Sequence, residues 1–329
     1  MRLKTIDIGG LSAPNNVFLA PLAGYTNAVF REMCFNLGAG LTFTEMVSAK
    51  GLCYNSKNTQ ELLYVTPSYG GIKACQLFGA DPEYMRRAAQ SEFVAPFDIV
   101  DINMGCPVPK IFNNGEGSAL MQDFARASAL IKACKSSGKR VTVKFRIGLN
   151  DKNIVTSDFA KMCEDSGADM ITVHGRTRDK IYAGEVNFAE IERAKNAVSV
   201  PVIANGGIFC KEDAENLMDK TGADGVMVAR GAMYSPWIFS EITGTPLPDK
   251  RALIKKQLED TLSLFGERFA LVFMRKMAAF YTKGKRGSSA LREKLFTCDS
   301  IEKLSVMIDE TEFSNLSSMP SGKICRSAL

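Results

Sequence analysis

The chain has 329 residues, 46% hydrophobic and 23% charged, with a net charge of +5. These are ordinary globular proportions, and the length suits one large domain, a smaller one and an ample core. No run nears the roughly 18 apolar residues of a membrane span, and the start MRLKTIDIGG lacks the apolar stretch of a secretory leader.

Taken in chain order, the alternation in KTIDIGGL (4–11) predicts a small hairpin closing the floor of whatever follows. Eight apolar segments then read as strands, each ending in polar or glycine-rich residues: 16–24, 41–48, 72–79, 97–107, 141–148, 170–177, 201–208 and 225–232. Helical patterns fill the gaps, for example 124–138 and 158–167, both stopped by glycine. Eight βα units in succession predict an α/β fold, a (β/α)₈ TIM barrel of about 240 residues. A doubly wound open sheet is the alternative, and the absence of GxGxxG after the first strand counts against it. Beyond the proline-rich break at 243–250, helical patterns run at 251–267, 268–284, 289–296 and 301–312. The predicted division is a barrel domain over 1–245 and a small C-terminal helical domain over 246–329, with the tail at 317–329 loosely held.

Charge follows that division. Residues 1–245 hold 26 basic and 26 acidic side chains, whereas 246–329 hold 15 and 10. Between Arg268 and Lys294 stand eight basic residues and one acidic residue, Glu293. Such a cluster reads either as a solvated helical face or as a surface for phosphate backbone. The nine cysteines are odd in number and form no CxxC pair, so no disulfide framework or metal site is expected and a reduced, cytoplasmic protein fits.

Barrel chemistry gathers at the carboxyl ends of strands. Those ends supply Ala20, Pro21 and Leu22, then Glu45, Gln76, Asn103 with Cys106, Lys144 with Arg146, and His174 with Arg176. The last two strands end in Asn205-Gly206-Gly207 and Ala229-Arg230-Gly231, where glycine lets backbone N–H groups approach an anion. A phosphorylated cofactor is therefore expected, with Arg230 adding a charge-assisted bond. His174 is the only histidine, and its place at a strand tip favours a functional role over a structural one. Alternation turns Lys144 and Arg146 inward, where an ammonium needs a partner. That partner is either an electron-rich cofactor ring or a core carboxylate such as Glu45. Cys106 follows glycine at a strand tip, and no second histidine exists to make it a protease-like nucleophile. A neutral thiol of pKa about 8.5 suits a general acid.

Several motifs, in order, resemble the tRNA-dihydrouridine synthases. They are APLAGYTN (20–27), CQLFG (75–79), DINMGCP (101–107), VKFRIG (143–148), HGRTR with IYAGEVNF (174–188), ANGGI (204–208), MVARGAM (227–233) and, in the helical part, RKMAAFYTKGKRGSSALREKL (275–295). The resemblance implies an FMN-bearing barrel that reduces uridines in tRNA to 5,6-dihydrouridine with NADPH as reductant. Hydride passes from flavin N5 to C6, and Cys106 protonates C5. It further implies that Ala20, Pro21 and Leu22 pack on the flavin and that Gln76, Lys144 and His174 bond its ring. Asn205, Gly206, Gly207, Ala229 and Arg230 then hold the phosphate. Asn103, Arg146 and Tyr182 line the uracil, while Arg275, Lys276, Lys283 and Arg292 meet the RNA. Met277, Lys180, Phe188 and Glu116 depart from the family's usual residues and bear on RNA or substrate contacts. No metal, membrane or protein partner is implied, and a monomer is expected. A flavin barrel acting on a small pyrimidine, a non-catalytic RNA-binding barrel and a flavin-free phosphosugar barrel are the competing readings. The charge concentrated at 268–294 counts against the first, the set Cys106, Lys144 and His174 against the second, and the Cys106 loop against the third.

Overall fold

A computed structural model describes residues 2–283 and 288–313. Lys285 and Arg286 of the basic cluster, and the tail at 317–329, lie outside the described residues. The predicted hairpin is present: β1 (Ile6–Ile8) pairs antiparallel with β2 (Leu11–Ala13), Ile6 opposite Ala13. Gly9 and Gly10 between them take φ of +59° and +85°, which a two-residue hairpin turn requires and side chains resist.

Eight parallel strands follow: β3 (Val17–Leu19), β4 (Leu41–Ser48), β5 (Lys73–Phe78), β6 (Ile99–Met104), β7 (Arg140–Arg146), β8 (Met170–His174), β9 (Val202–Asn205) and β10 (Gly225–Val228). They close in the order β10-β3-β4-β5-β6-β7-β8-β9, so the barrel holds and the open sheet does not. Each strand falls within or against its predicted segment. Helices cover the outside, and alternation gives the strands two faces. Val100, Ile102, Val141, Val143, Ile171 and Val173 pack outward into the main core. Phe18, Phe43, Ile99, Met170, Ile203 and Met227 fill the lower interior with the hairpin's Ile6 and Ile8 beneath them. The interior is apolar at the hairpin end and polar at the carboxyl end, which sets where chemistry can occur.

One irregularity matters for the site. The β4–β5 register shifts between Phe43 and Met46. The Gln76 backbone N–H there donates to the Thr44 hydroxyl at 3.0 Å. Bulges of this kind redirect side chains, and here Glu45 accepts from the Gly24 amide in the loop after β3.

The C-terminal helices run Lys250–Phe265, Glu267–Tyr281, Ser288–Thr297 and Ile301–Asp309. Asp249 caps the first by accepting from Arg251 and Ala252 amides. Gly266, at φ +79°, lets the chain turn into the second. Phe273, Met274, Met277 and Tyr281 of that second helix are buried. Tyr281 donates to Gln257 at 2.8 Å inside this packing. Met277 is wholly buried, so the side chain at this position faces the core and supports the fold by about 2 kcal/mol. No described helix is long and apolar enough to cross a membrane.

Candidate active site

The carboxyl end of the barrel opens into a cavity of about 690 Å³. Ala20, Pro21 and Leu22 line it from β3, Asn103 and Cys106 from β6, Lys144 and Arg146 from β7, and His174 from β8. Asn205, Gly206 and Gly207 enter from β9, Ala229 and Arg230 from β10, and Tyr182 from the loop after β8. Lys283 joins them from the residues after the second C-terminal helix. Four predicted residues are not in this lining: Gln76, Arg275, Lys276 and Arg292. Gln76 lies beneath it at 1% exposure, with its amide bonded at both ends.

Positive charge dominates one side. Lys144 donates to Asn205 Oδ1 at 2.9 Å, and Asn205 in turn donates to the Met227 carbonyl at 2.7 Å. Its expected alternative partner, Glu45, is engaged elsewhere, with Gly24, Arg31 and Lys276. Burial, then the nearby Arg146, pulls the Lys144 ammonium down to about 8. His174 is held well below its usual range by burial and then by Arg146, Lys144, Arg176 and Arg230, so its imidazole is neutral. Arg176 Nη1 lies 3.4 Å from His174 Nε2. A guanidinium only donates, so Nε2 accepts and the ring proton sits on Nδ1. Several cations around one cavity call for an anionic ligand.

Glycine shapes that side. Gly206 has φ +126°, and a Cβ there would come within 3.0 Å of His174 Cδ2 and 3.1 Å of Val186 Cγ2. Gly207 follows at φ +73°. The pair leaves backbone exposed beside Arg230, a cradle for a phosphate. Gly206→Ala is expected to destabilise the protein by about 1–3 kcal/mol and to displace His174. Thermal unfolding checks this; an unchanged melting temperature contradicts it.

Cys106 stands across the mouth, because β6 is four places from β10 in the closed barrel. Its turn is held at several points. Asn103 Oδ1 accepts from the Gly105 and Cys106 amides at 3.2 and 2.9 Å. Ser118 donates to the Cys106 carbonyl through its amide at 3.1 Å and its hydroxyl at 2.8 Å. Arg146 donates to Gly105 O at 2.9 Å and also to the carbonyls of Thr177 and Ile181. The guanidinium thus ties the Cys106 turn to the loop that carries Tyr182. Ile181 is held there at φ +49°, a costly conformation for a β-branched residue. Burial raises the Cys106 thiol above its ordinary range, with the Val108 amide and Arg146 pulling the other way. It is a thiol, not a thiolate, at neutral pH.

Several contributors were not singled out from sequence. Asp101 binds Thr142 and Gln76 at 2.6 Å each inside the barrel. Arg230 lies 4.3 Å from the Tyr182 ring centroid and 5.7 Å from that of Phe209. Tyr25, Tyr234 and Phe280 join the lining, with ring centroids 5.5–5.8 Å apart in chain. Such neighbours come from separate elements, and spacing along the chain carries no signal for them.

The basic helical residues divide. Lys276 donates to the Gly24 carbonyl at 2.6 Å and sits 4.1 Å from the Tyr25 ring centroid. Lys283 reaches the Tyr234 hydroxyl at 3.3 Å. Both turn toward the barrel. Arg292 donates to Ser288 within its own helix, and Arg275 is half-buried with Nε unbonded. Of the departures, Lys180 pairs with Asp151 at 2.7 Å, the Lys220 ammonium lies 5.5 Å from the Phe188 ring centroid, and burial raises the Glu116 carboxyl.

Residues 18–316 match the family model described as Dihydrouridine synthase (Dus). The chain is 34% identical over 301 residues to tRNA-dihydrouridine synthase B of Pseudomonas aeruginosa, covering 88% of this chain and 90% of that one. It is 36% identical over 319 residues to the probable tRNA-dihydrouridine synthase 1 of a Synechocystis strain, covering 93% and 89%. Among solved structures, morphinone reductase aligns at a TM-score of 0.55 and 15% identity over 76% of this chain and 91% of that one. An old yellow enzyme homologue of Zymomonas mobilis aligns at 0.55 and 14% over 74% and 93%. These two structural likenesses speak to the fold alone.

Proposed function

The chain belongs to the dihydrouridine synthase family of flavin-dependent oxidoreductases, and from that premise we propose that it reduces specific uridines of tRNA to 5,6-dihydrouridine. The observation that carries the reading is one cavity with a cation-rich glycine cradle on one side and a protonated thiol across from it. FMN fits the donor set. Gly206, Gly207, Ala229 and Arg230, with Asn205, would hold its phosphate end. Lys144 and His174 would face its ring, Gln76 supporting from beneath, and Ala20, Pro21 and Leu22 would pack against it. When bound, FMN supplies hydride chemistry, recharged by NADPH.

The chain's own residues supply the rest. The uracil, turned out of the tRNA stack, sits among Asn103, Arg146 and Tyr182. As C6 receives hydride and the C5–C6 double bond is lost, Cys106 Sγ gives its proton to C5. The thiolate left behind is stabilised by the Val108 amide and Arg146, then regains a proton from solvent. Arg146 fixes this turn while it marks one wall of the uracil site.

The proposed division is a flavin-binding barrel over 1–245 and a tRNA-binding helical part over 246–329. In it, Arg275 and Arg292 meet phosphates, and Lys276 and Lys283 link the helices to the cavity rim. A reduced cytoplasmic setting and a monomer complete the proposal. The test is NADPH oxidation by FMN-loaded protein with and without tRNA lacking dihydrouridine. Oxidation accelerated by that tRNA supports the reading; acceleration by free uracil or uridine alone favours the small-pyrimidine alternative.

Lys144 sets a pH dependence. A bound anion favours its charged form, so FMN affinity is greatest below about 8 and falls as pH rises through that value. Affinity is expected to drop up to about 10-fold per pH unit between roughly pH 8 and 9.5. Titration of flavin-free protein with FMN measures it, and a flat affinity across that window contradicts a charged Lys144 at the flavin.

A further inference from the structure

We propose that Asp101 is a positioning residue whose carboxylate fixes the direction of a two-amide chain, Gln76 to Asn103, that holds the proton-donating turn at Cys106. The inference rests on the functional reading above for the role of Cys106. Its geometry stands independently.

The chain can be read from either end with one answer. At the turn, two backbone N–H groups, those of Gly105 and Cys106, point at the Asn103 side chain. Only its oxygen can accept them, so its NH₂ faces away. That NH₂ donates to Gln76 Oε1 at 2.8 Å, which leaves Gln76 to present its own NH₂. That group donates to Asp101 Oδ2 at 2.6 Å. From the other end, an ionised carboxylate accepts and never donates. Asp101 also accepts from the Thr142 hydroxyl at 2.6 Å through Oδ1. With both oxygens accepting, Gln76 and Asn103 each have one orientation available.

The environment suits this task. Asp101 is 1% exposed, and its partners come from the strands on either side, β5 and β7. Burial pushes its carboxyl up to about 6, while Thr142, Gln76 and Lys144 hold it down. It therefore remains a carboxylate at neutral pH. A buried charge is costly, and a neutral residue would pack here with less penalty. A fixed direction along the chain is what the charge contributes. Among the described residues, a further acceptor near the Asn103 NH₂ is the thioether of Met46 at 4.0 Å, a weak partner. Asn103 therefore offers the cavity a donor, matched to a carbonyl of uracil and mismatched to the amino group of cytosine.

The test uses full-length, FMN-loaded protein and measures its two half-reactions separately, flavin reduction by NADPH and uridine reduction on tRNA. Alkylation of Cys106 by iodoacetamide, followed by peptide mass in flavin-free protein, is a readout independent of turnover. Asp101→Asn keeps the size but can show Gln76 either an oxygen or an NH₂, so the direction is held from the turn end alone and the chain loosens. Flavin reduction is expected within about 2-fold of wild type, uridine reduction to fall roughly 10- to 100-fold, and Cys106 alkylation to quicken about 2- to 10-fold. Asp101→Asn combined with Gln76→Glu restores an acceptor-only group next to Asn103. It is expected to recover uridine reduction at least about 5-fold over the single variant and to slow alkylation again.

Wild-type uridine reduction and alkylation in Asp101→Asn overturn the proposal, as does a loss that the double variant fails to recover. Should Asp101→Asn not fold or not hold FMN, the double variant decides: recovered folding with uridine reduction supports the proposal, and none overturns it. Wild-type protein that forms no dihydrouridine overturns the functional reading instead, and the alkylation rates still judge Asp101.

Discussion

Cys106→Ala should keep FMN bound and lose uridine reduction by about 10²- to 10⁴-fold, the usual range for removing a positioned general acid. The argument begins with protonation. Burial keeps the thiol above its ordinary range, so nearly all of it carries a proton at pH 7. It continues with placement. The amide and carbonyl of Cys106 and the carbonyl of Gly105 are all bonded, to Asn103, Ser118 and Arg146, so the sulfur is aimed by a rigid turn. No other cysteine lines the cavity among the described residues, and the one histidine is neutral and set among cations. The Lys144 ammonium, which also lines the cavity, is already engaged by Asn205. The measurement is single-turnover reduction of tRNA uridine by pre-reduced protein, beside the rate at which NADPH reduces the flavin. The second rate should not change. Wild-type turnover by the alanine variant contradicts the proton-donor role.

Arg275→Gln with Arg292→Gln should weaken tRNA binding about 10- to 50-fold near physiological salt and lower the slope of log K against log salt by about 2. These two are chosen because neither lines the cavity, whereas Lys283 does and Lys276 is bonded to the loop after β3. FMN affinity should stay as it is. Binding is read by filter retention or fluorescence over a series of salt concentrations. Equal affinity and equal slope contradict the helical part as the RNA surface, and a changed FMN affinity contradicts the separation of the two sites.

The barrel is legible because short apolar runs end in polar or glycine-rich tips eight times, and parallel closure leaves those tips at one end. Gly9-Gly10 gave the hairpin and the glycines at 138 and 167 the ends of two helices, since positive φ is written into sequence as glycine. The short helices Ala49–Cys53, Lys57–Glu61 and Pro109–Asn113 leave no mark in the sequence, because one turn has no periodicity to display. Partnerships across the barrel were harder still. Lys144 meets Asn205 and not Glu45, since the bulge in β4 turns Glu45 to Gly24. Asp101 carries no signal of its own in the sequence, because its partners Gln76 and Thr142 come from the neighbouring strands β5 and β7. The helix 267–281 shows the same limit: charge marked it as basic, yet folding turned Lys276 to the barrel and buried Met277.

The most direct test of the central claim maps dihydrouridine by position in tRNA from a strain lacking this protein, after incubation with the protein, FMN and NADPH. Dihydrouridine at a defined position, absent when Cys106→Ala replaces wild type, is the predicted result. Flavin reduced by NADPH while every tRNA uridine stays unchanged contradicts it.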